Sequence, residues 1–259
     1  MPNKLPPPWH SLLRHFVSDA WEKGQILRLL AATWPPAQIW PLGPWLMRDG
    51  QGGGKRVCAA SLQDGAAFSP ADLDAAEAAM RRLAQRPVFA VWPCDHNLDM
   101  ALDQRGYQVI DPVLFLAAGS ALMAAALPAN SFAYPHWPPL ALGQEIWQAA
   151  SIPMATQKIM ARAQGPKTAL ILRHRDQIVG LCFVAMAGQS AMLHALEVLP
   201  NHRRAGHGRS LIRAAATWAA GHGAQDLALL VTRKNIAARA LYEGMGMAQR
   251  GQYHYRLRP

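Results

Sequence analysis

Val198-Leu199-Pro200-Asn201-His202-Arg203-Arg204-Ala205-Gly206-His207-Gly208 joins an apolar run at 190–198 to a helical pattern at 208–221. In the helical pattern Leu211, Ile212, Ala215, Ala216 and Ala219 fall on one face. Glycines at 206 and 208 let the backbone approach a ligand, and successive amides at a helix start make a concavity for anionic oxygens. Arg203, Arg204 and Arg209 add charge and forked donors, and no acidic side chain stands in the loop or first turn. The loop lacks the G-x-x-x-x-G-K-[ST] pattern of a Walker loop and the third glycine of a dinucleotide fingerprint.

Upstream of this loop, 168–173, 178–187 and 190–198 read as three strands with short polar connections, which makes them antiparallel neighbours. Before them, 143–163 reads as helix interrupted at Pro153. Downstream, 227–232 is apolar without alternation, as a strand buried on both faces should be. Asn235 is placed to cap a short helix, Ile236–Glu243. At 252–257 Tyr253, Tyr255 and Leu257 alternate with Gln252, His254 and Arg256, a two-faced strand. The order predicts an α/β domain with a mixed, mostly antiparallel sheet flanked by helices.

The first half echoes this plan. Strand patterns at 55–62, 88–92 and 107–116 alternate with helical ones at 70–85 and 97–104. Shifted by 140 residues, Leu102 falls on Tyr242, Gly106 on Gly246 and Tyr107 on Met247, a faint internal duplication. The reading divides the chain into a first domain at 1–125, a linker at 126–139 with Pro128, Pro135, Pro138 and Pro139, and a second domain at 140–259.

Charge follows the same division. Residues 1–150 hold 11 Lys+Arg against 12 Asp+Glu, whereas 151–259 hold 15 against 4, so the +10 of the chain sits in its second half. That half is built to concentrate anionic ligands. The arginines gather at one loop rather than interleaving with exposed aromatics, which argues against nucleic acid as the partner. With 51% hydrophobic residues in 259, disorder is excluded as the main state. No apolar run reaches the ~18–20 residues of a membrane helix. The amino terminus MPNKLPPPWH has no apolar signal core, and Cys58, Cys94 and Cys182 are odd in number and widely spaced. The expectation is a cytoplasmic protein without disulfide or metal and without a membrane partner, a monomer or homodimer.

Two sets of residues carry a resemblance. R-x-x-G-x-G (Arg203, Gly206, Gly208), preceded by Val198 and Pro200, resembles motif A of the GCN5-related N-acetyltransferase (GNAT) superfamily. N-x-x-A-x-x-L-Y-x-x-x-G-M (Asn235, Ala238, Leu241, Tyr242, Gly246, Met247) resembles its motif B. The likeness covers about 140–259, and the layout is similar to tandem members with a degenerate first domain. It implies the acyl-CoA N-acyltransferase fold in two tandem copies. Acetyl-CoA is the implied co-substrate and a small primary amine the acceptor. It implies that amides of Arg204, Ala205, Gly206, His207, Gly208 and Arg209 receive the pyrophosphate, with Arg203 adding charge. The pantetheine arm would pair along Leu196 and Val198, an amide near Leu196 would polarise the thioester carbonyl, and Asn235 would orient the arm. Tyr242 would protonate the departing thiolate, a role its phenol suits.

The general base stays open between three routes. His194 shares a face with Met192 and Leu196 by strict period two; Glu197 faces the other way unless a bulge re-aims it; or a neutral amine attacks with water relaying the proton. A non-catalytic acyl-CoA-binding or regulatory module is the alternative to an enzyme, and it would have no need of Tyr242. Gly52-Gly53-Gly54-Lys55 reads as a loop, Asp95, Asp99 and Asp103 as a solvated helix face, and Tyr134, His136 and Trp137 as either an acceptor wall or packing between the halves.

Overall fold

The structure, a computed structural model, describes residues 21–259. The stretch read for a signal sequence lies outside the described residues. In the first half come α1 (Lys23–Thr33), β1 (Gln38–Leu42), β2 (Trp45–Asp49), α2 (Lys55–Cys58), β3 (Ala60–Leu62) and α3 (Pro70–Arg82). There follow β4 (Val88–Val91), α4 (His96–Gln104), β5 (Gln108–Gly119) and α5 (Ser120–Met123). The second half runs β6 (Ser131–His136), α6 (Ala141–Ala149), α7 (Met154–Arg162), β7 (Lys167–His174), β8 (Gln177–Ala187) and β9 (Ser190–Val198). It closes with α8 (His207–Gly221), β10 (Asp226–Thr232), α9 (Ile236–Glu243) and β11 (Ala248–Leu257).

Among the described residues eleven strands join one sheet, in the order β1-β2-β3-β4-β11-β5-β10-β9-β8-β7-β6. Only β3–β4 and β9–β10 run parallel. The fold class read from the sequence is the one observed. The two halves, however, interleave. The last strand of each lies inside the other: β11 sits between β4 and β5, and β5 sits between β11 and β10. The exchange is latched by charge. Arg256 of β11 donates to Asp99 and Asp103 of α4 at 2.7 and 2.8 Å, and His254 Nε2 lies 2.8 Å from Asp99 Oδ1. Asp95 pairs with Lys23 of α1 at 2.7 Å. The three aspartates read as a solvated face therefore hold elements together. An i, i+4, i+8 row fits an ion-paired seam as well as it fits water.

Two other expectations change. Residues 126–139 are not a bare connector, because they contain β6, which pairs with β7 at the sheet edge. Pro135 is compatible with that place, since an edge strand has one side of its ladder unpaired. Residues 55–62 are not one strand: one helical turn precedes a three-residue β3, after Gly54 turns the chain at φ +89°.

Helices cover both faces. On one, α8 and α9 close a core with Leu193, Leu211, Leu229 and Met247, and α3 and α4 close its counterpart around Leu73, Phe89, Leu98 and Leu102. On the other, α1 packs across the middle of the sheet on Phe115 and Ala228, while Trp147 of α6 and Ile159 of α7 cover β7 and β8.

Candidate active site

The site begins as a break in the sheet. β9 and β10 pair only from Ser190↔Asp226 to Leu193↔Leu229. Beyond that, β10 continues along β5 as far as Thr232↔Val113, and β9 continues along β8 to Val198↔Gly180. The two strands diverge, leaving the edge of 194–198 unpaired on the β10 side. A β-bulge shapes that edge. Ala195 has φ +49°, and between His194↔Phe183 and Glu197↔Leu181 β9 spends three steps against two on β8. Trp147, fully buried, donates its indole N–H to the Ala195 carbonyl at 2.9 Å and fixes the bulge.

The bulge resets the alternation. Leu193, Leu196 and Val198 all pack on the α8 side, whereas His194 stacks on Trp34 on the α1 side, ring centroids 4.7 Å apart. The expectation that His194 and Leu196 share a face is thus corrected. Glu197 is re-aimed to the face of His194, as a bulge allows.

Past Val198 the chain makes a short 3-10 turn, Pro200–His202, and enters α8 through Gly206, whose φ of +84° a side chain would strain. A Cβ on Gly206 would meet nothing within 4 Å, so this backbone lies open toward solvent. Gly208 serves packing instead: a Cβ there would come to 3.0 Å from Leu241 of α9. The first turn of α8 carries no acidic residue. Arg204 and Arg209 are exposed and, among the described residues, in no ion pair. Arg203 turns back instead, donating to the Val198 carbonyl at 3.1 Å and to Glu197 Oε1 at 2.6 Å. It braces the strand edge as well as charging the loop. Beside the same turn lies a cavity of about 510 Å³ lined by His174, Arg175, His202, His207, Arg209 and Arg213. His207 is buried, and burial first, then His174 and His202, lower its pKa.

On α9, Tyr242 packs into the core that α8 and α9 close. It is 9% exposed, and burial, followed by the adjacent Cys182 thiol, pushes its phenol up to about 12. It is protonated throughout the physiological range and so has a proton to donate. Asn235 Oδ1 accepts from the Ala238 amide at 3.1 Å, the cap that the sequence suggests.

His194 is 3% exposed and fully engaged. Arg56 has only donors, so His194 Nδ1, 3.4 Å away, accepts. Nε2 then carries the proton and faces Thr33 Oγ1 at 3.1 Å, and Thr33 donates onward to the Leu29 carbonyl at 2.8 Å. Burial, then Arg56, holds the imidazole well below its ordinary pKa. Trp147, Thr33, Trp34 and Arg56 escape the sequence reading. Trp147 looks like one more apolar residue of a helix, and Arg56 follows a glycine run that reads as loop. Tyr134 is half exposed on β6, and Trp137 packs on Phe183 with ring centroids 5.5 Å apart. Among the described residues no His, Cys, Asp or Glu cluster could hold a metal, and no helix is long and apolar enough to cross a membrane.

Comparison with known proteins places this geometry. The model of the "Acetyltransferase (GNAT) family" matches residues 131–247, from β6 to the end of motif B. The chain is 26% identical over 249 residues to the uncharacterized N-acetyltransferase YobR of Bacillus subtilis (strain 168), covering 90% of this chain and 98% of YobR. A GCN5-related N-acetyltransferase from Kribbella flavida has the same fold, with TM-score 0.68 and 19% identity over 91% of this chain and 95% of its own. A tandem GNAT protein from the clavulanic acid biosynthesis pathway follows at TM-score 0.60 and 13% identity, covering 82% of this chain and 76% of its own. The open β9 edge, the glycine turn into α8 and the tyrosine on α9 are thus carried by the segment, residues 131–247, that matches the model of the GNAT acetyltransferase family.

Proposed function

We propose that this acetyltransferase moves the acetyl group of acetyl-CoA to a primary amine of a small acceptor by direct attack, using one donor site per chain in the second half. The observation that carries the reading is the divergence of β9 from β10 after Leu193↔Leu229. It leaves an extended, unpaired strand edge of the kind a pantetheine arm pairs with. At one end of that edge lie the open turn at Gly206 and two exposed arginines for the phosphates. At the other lies the bulge at Ala195, where a backbone amide at Leu196 would polarise the thioester carbonyl.

In the reaction the amine nitrogen attacks the carbonyl carbon, the C–S bond breaks, and the thiolate takes up a proton supplied by Tyr242. The nitrogen loses a proton to water. His194 is a poor base, since its Nδ1 lone pair is directed at Arg56, and it acts as a positioning residue. Glu197 is the better terminus for the water relay, although Arg203 occupies one of its oxygens. The first half, read as a degenerate copy, binds no donor and supports the acceptor side. The test follows CoA release across a panel of amines. Tyr242→Phe keeps the ring and its packing, and should lower turnover on the order of 10²–10⁴-fold with donor affinity unchanged. An unchanged rate where chemistry limits turnover would return Tyr242 to the core.

A further inference from the structure

On the α1 side of the sheet, beneath the point where β9 leaves β10, the two halves meet around one guanidinium. Arg56 projects from α2. Its Cζ lies 5.7 Å from the ring centroid of Trp34, its NH1 faces His194 Nδ1 at 3.4 Å, and the Tyr253 hydroxyl of β11 is within its reach. It therefore reaches across β10 and β5, from β9 to β11.

The surroundings hold it still. Lys55, its neighbour in α2, is tied to Asp111 of β5 at 2.9 Å, and Asp111 is shared with Lys234 at 2.8 Å. His194 is fixed in one tautomer by Thr33. Asp111 is taken up by those two lysines, and among the described residues Arg56 has no carboxylate of its own. Arg48, 6% exposed on β2, is likewise met only by neutral oxygens, those of Ala59, Ser61 and Leu46. Tyr253 and Tyr255, hydroxyls 3.0 Å apart, lie close to both arginines. Arg48, buried, and Arg56, half-buried, thus both stand without a carboxylate partner, and a guanidinium withdrawn from water favours an anion that completes it. The planar fork of Arg56 stands over an indole and has more donors than His194 and Tyr253 use, so it can take a carboxylate in two parallel bonds.

We infer that Arg56 is a specificity-determining residue: it binds a carboxylate of the acyl acceptor, so the acceptor is an amine that also carries a carboxylate, as an amino acid does. The inference rests on the acetyl-transfer reading above and deepens it. Trp34 supplies the platform, and His194 and Tyr253 orient the fork. The same guanidinium would also meet a carboxylate on the acyl group of the donor, and the test separates the two sources.

The experiment uses the full chain, as wild type, Arg56→Gln and Arg56→Lys. Each is assayed with acetyl-CoA on pairs of amines that differ only in carboxylate against carboxamide. Wild type should favour the carboxylate member by about 100-fold in kcat/KM. Arg56→Gln should abolish that preference while leaving the carboxamide rate within about threefold, and Arg56→Lys, a point charge without the fork, should retain part of it. Donor affinity, titrated separately, should be the same in all three, which also shows that the variants fold. A wild type without the preference, or a preference that survives Arg56→Gln, would overturn the inference. So would an Arg56-dependent gain seen only when succinyl-CoA replaces acetyl-CoA. If acetyl-CoA does not bind wild type, the acetyl-transfer reading fails on its own. Ligand-observed NMR of the same pairs then decides the anchor: carboxylate binding lost in Arg56→Gln supports it, and equal binding in both proteins overturns it.

Discussion

The starts of α3 and α8 occupy equivalent places in the two halves and do opposite things. α3 is closed by its own side chains. Ser69 caps it, Asp72 bonds back to the Ser69 amide at 2.8 Å, and Trp45 donates its indole N–H to the Asp72 carbonyl at 2.9 Å. Asp74 and the buried Glu77 then engage Arg105, and Glu77 also pairs with Arg81. α8 is left open: Gly206 offers no side-chain cap, and the first turn has no carboxylate. A carboxylate at a helix start satisfies the dipole and repels a second anion, whereas bare amides attract one. Farther in, the position of Tyr242 is held in the first half by Leu102, fully buried among Phe89, Leu98 and Tyr107. The first half closes its helix start with its own side chains, and the second leaves its helix start open.

The largest effect should come from closing the open helix start. Gly206→Asp places a charge where bare amides now face solvent and should weaken acetyl-CoA binding by about 100-fold or more, measured by calorimetry. Ser69→Gly, the matching change in the first half, should leave that affinity untouched and cost only a few tenths of a kcal/mol of stability. Equal losses in both would erase the contrast between the halves.

A smaller effect concerns pH. β9 carries the buried His194 in its middle, whereas β3, its counterpart, carries no ionisable side chain. Burial and then Arg56 hold His194 below its ordinary value of 6.5. Near that pH an unfolded chain takes up a proton that the folded one refuses. The contribution is therefore intact above pH ~6.5 and is lost as pH falls toward the lower folded value, by at most about 1.4 kcal/mol per pH unit. Urea midpoints between pH 7 and 5 should fall more steeply for wild type than for His194→Gln. Parallel curves would mean that the imidazole titrates normally.

Much of this was legible in the residues. The 140-residue offset holds to the residue for the starts of α4 against α9 and of β5 against β11. Gly106 and Gly246 both turn the chain at positive φ, and the amides of Tyr107 and Met247 bond back to the carbonyls of Leu102 and Tyr242. Those are local signals, set by glycine and by periodicity. The exchange of β5 and β11 was not legible, because each strand has the same alternation whichever half it pairs with. Ala195 carries no mark of its φ of +49°; the bulge is imposed by Trp147, 48 residues away. Arg203 is visible as a loop cation, but its turn back onto Glu197 depends on where the bulge points that carboxylate. β6 was hidden by its prolines, which read as linker although they suit an edge.

The central claim is that only one of the two copies is a donor site. Calorimetric titration of the intact chain with acetyl-CoA tests it most directly, paired with a crystal structure of the complex. The account predicts one site per chain, with the phosphates at Arg204–Arg209 and the arm along Leu196–Val198. Two sites per chain, or a donor against residues 62–75, would contradict it.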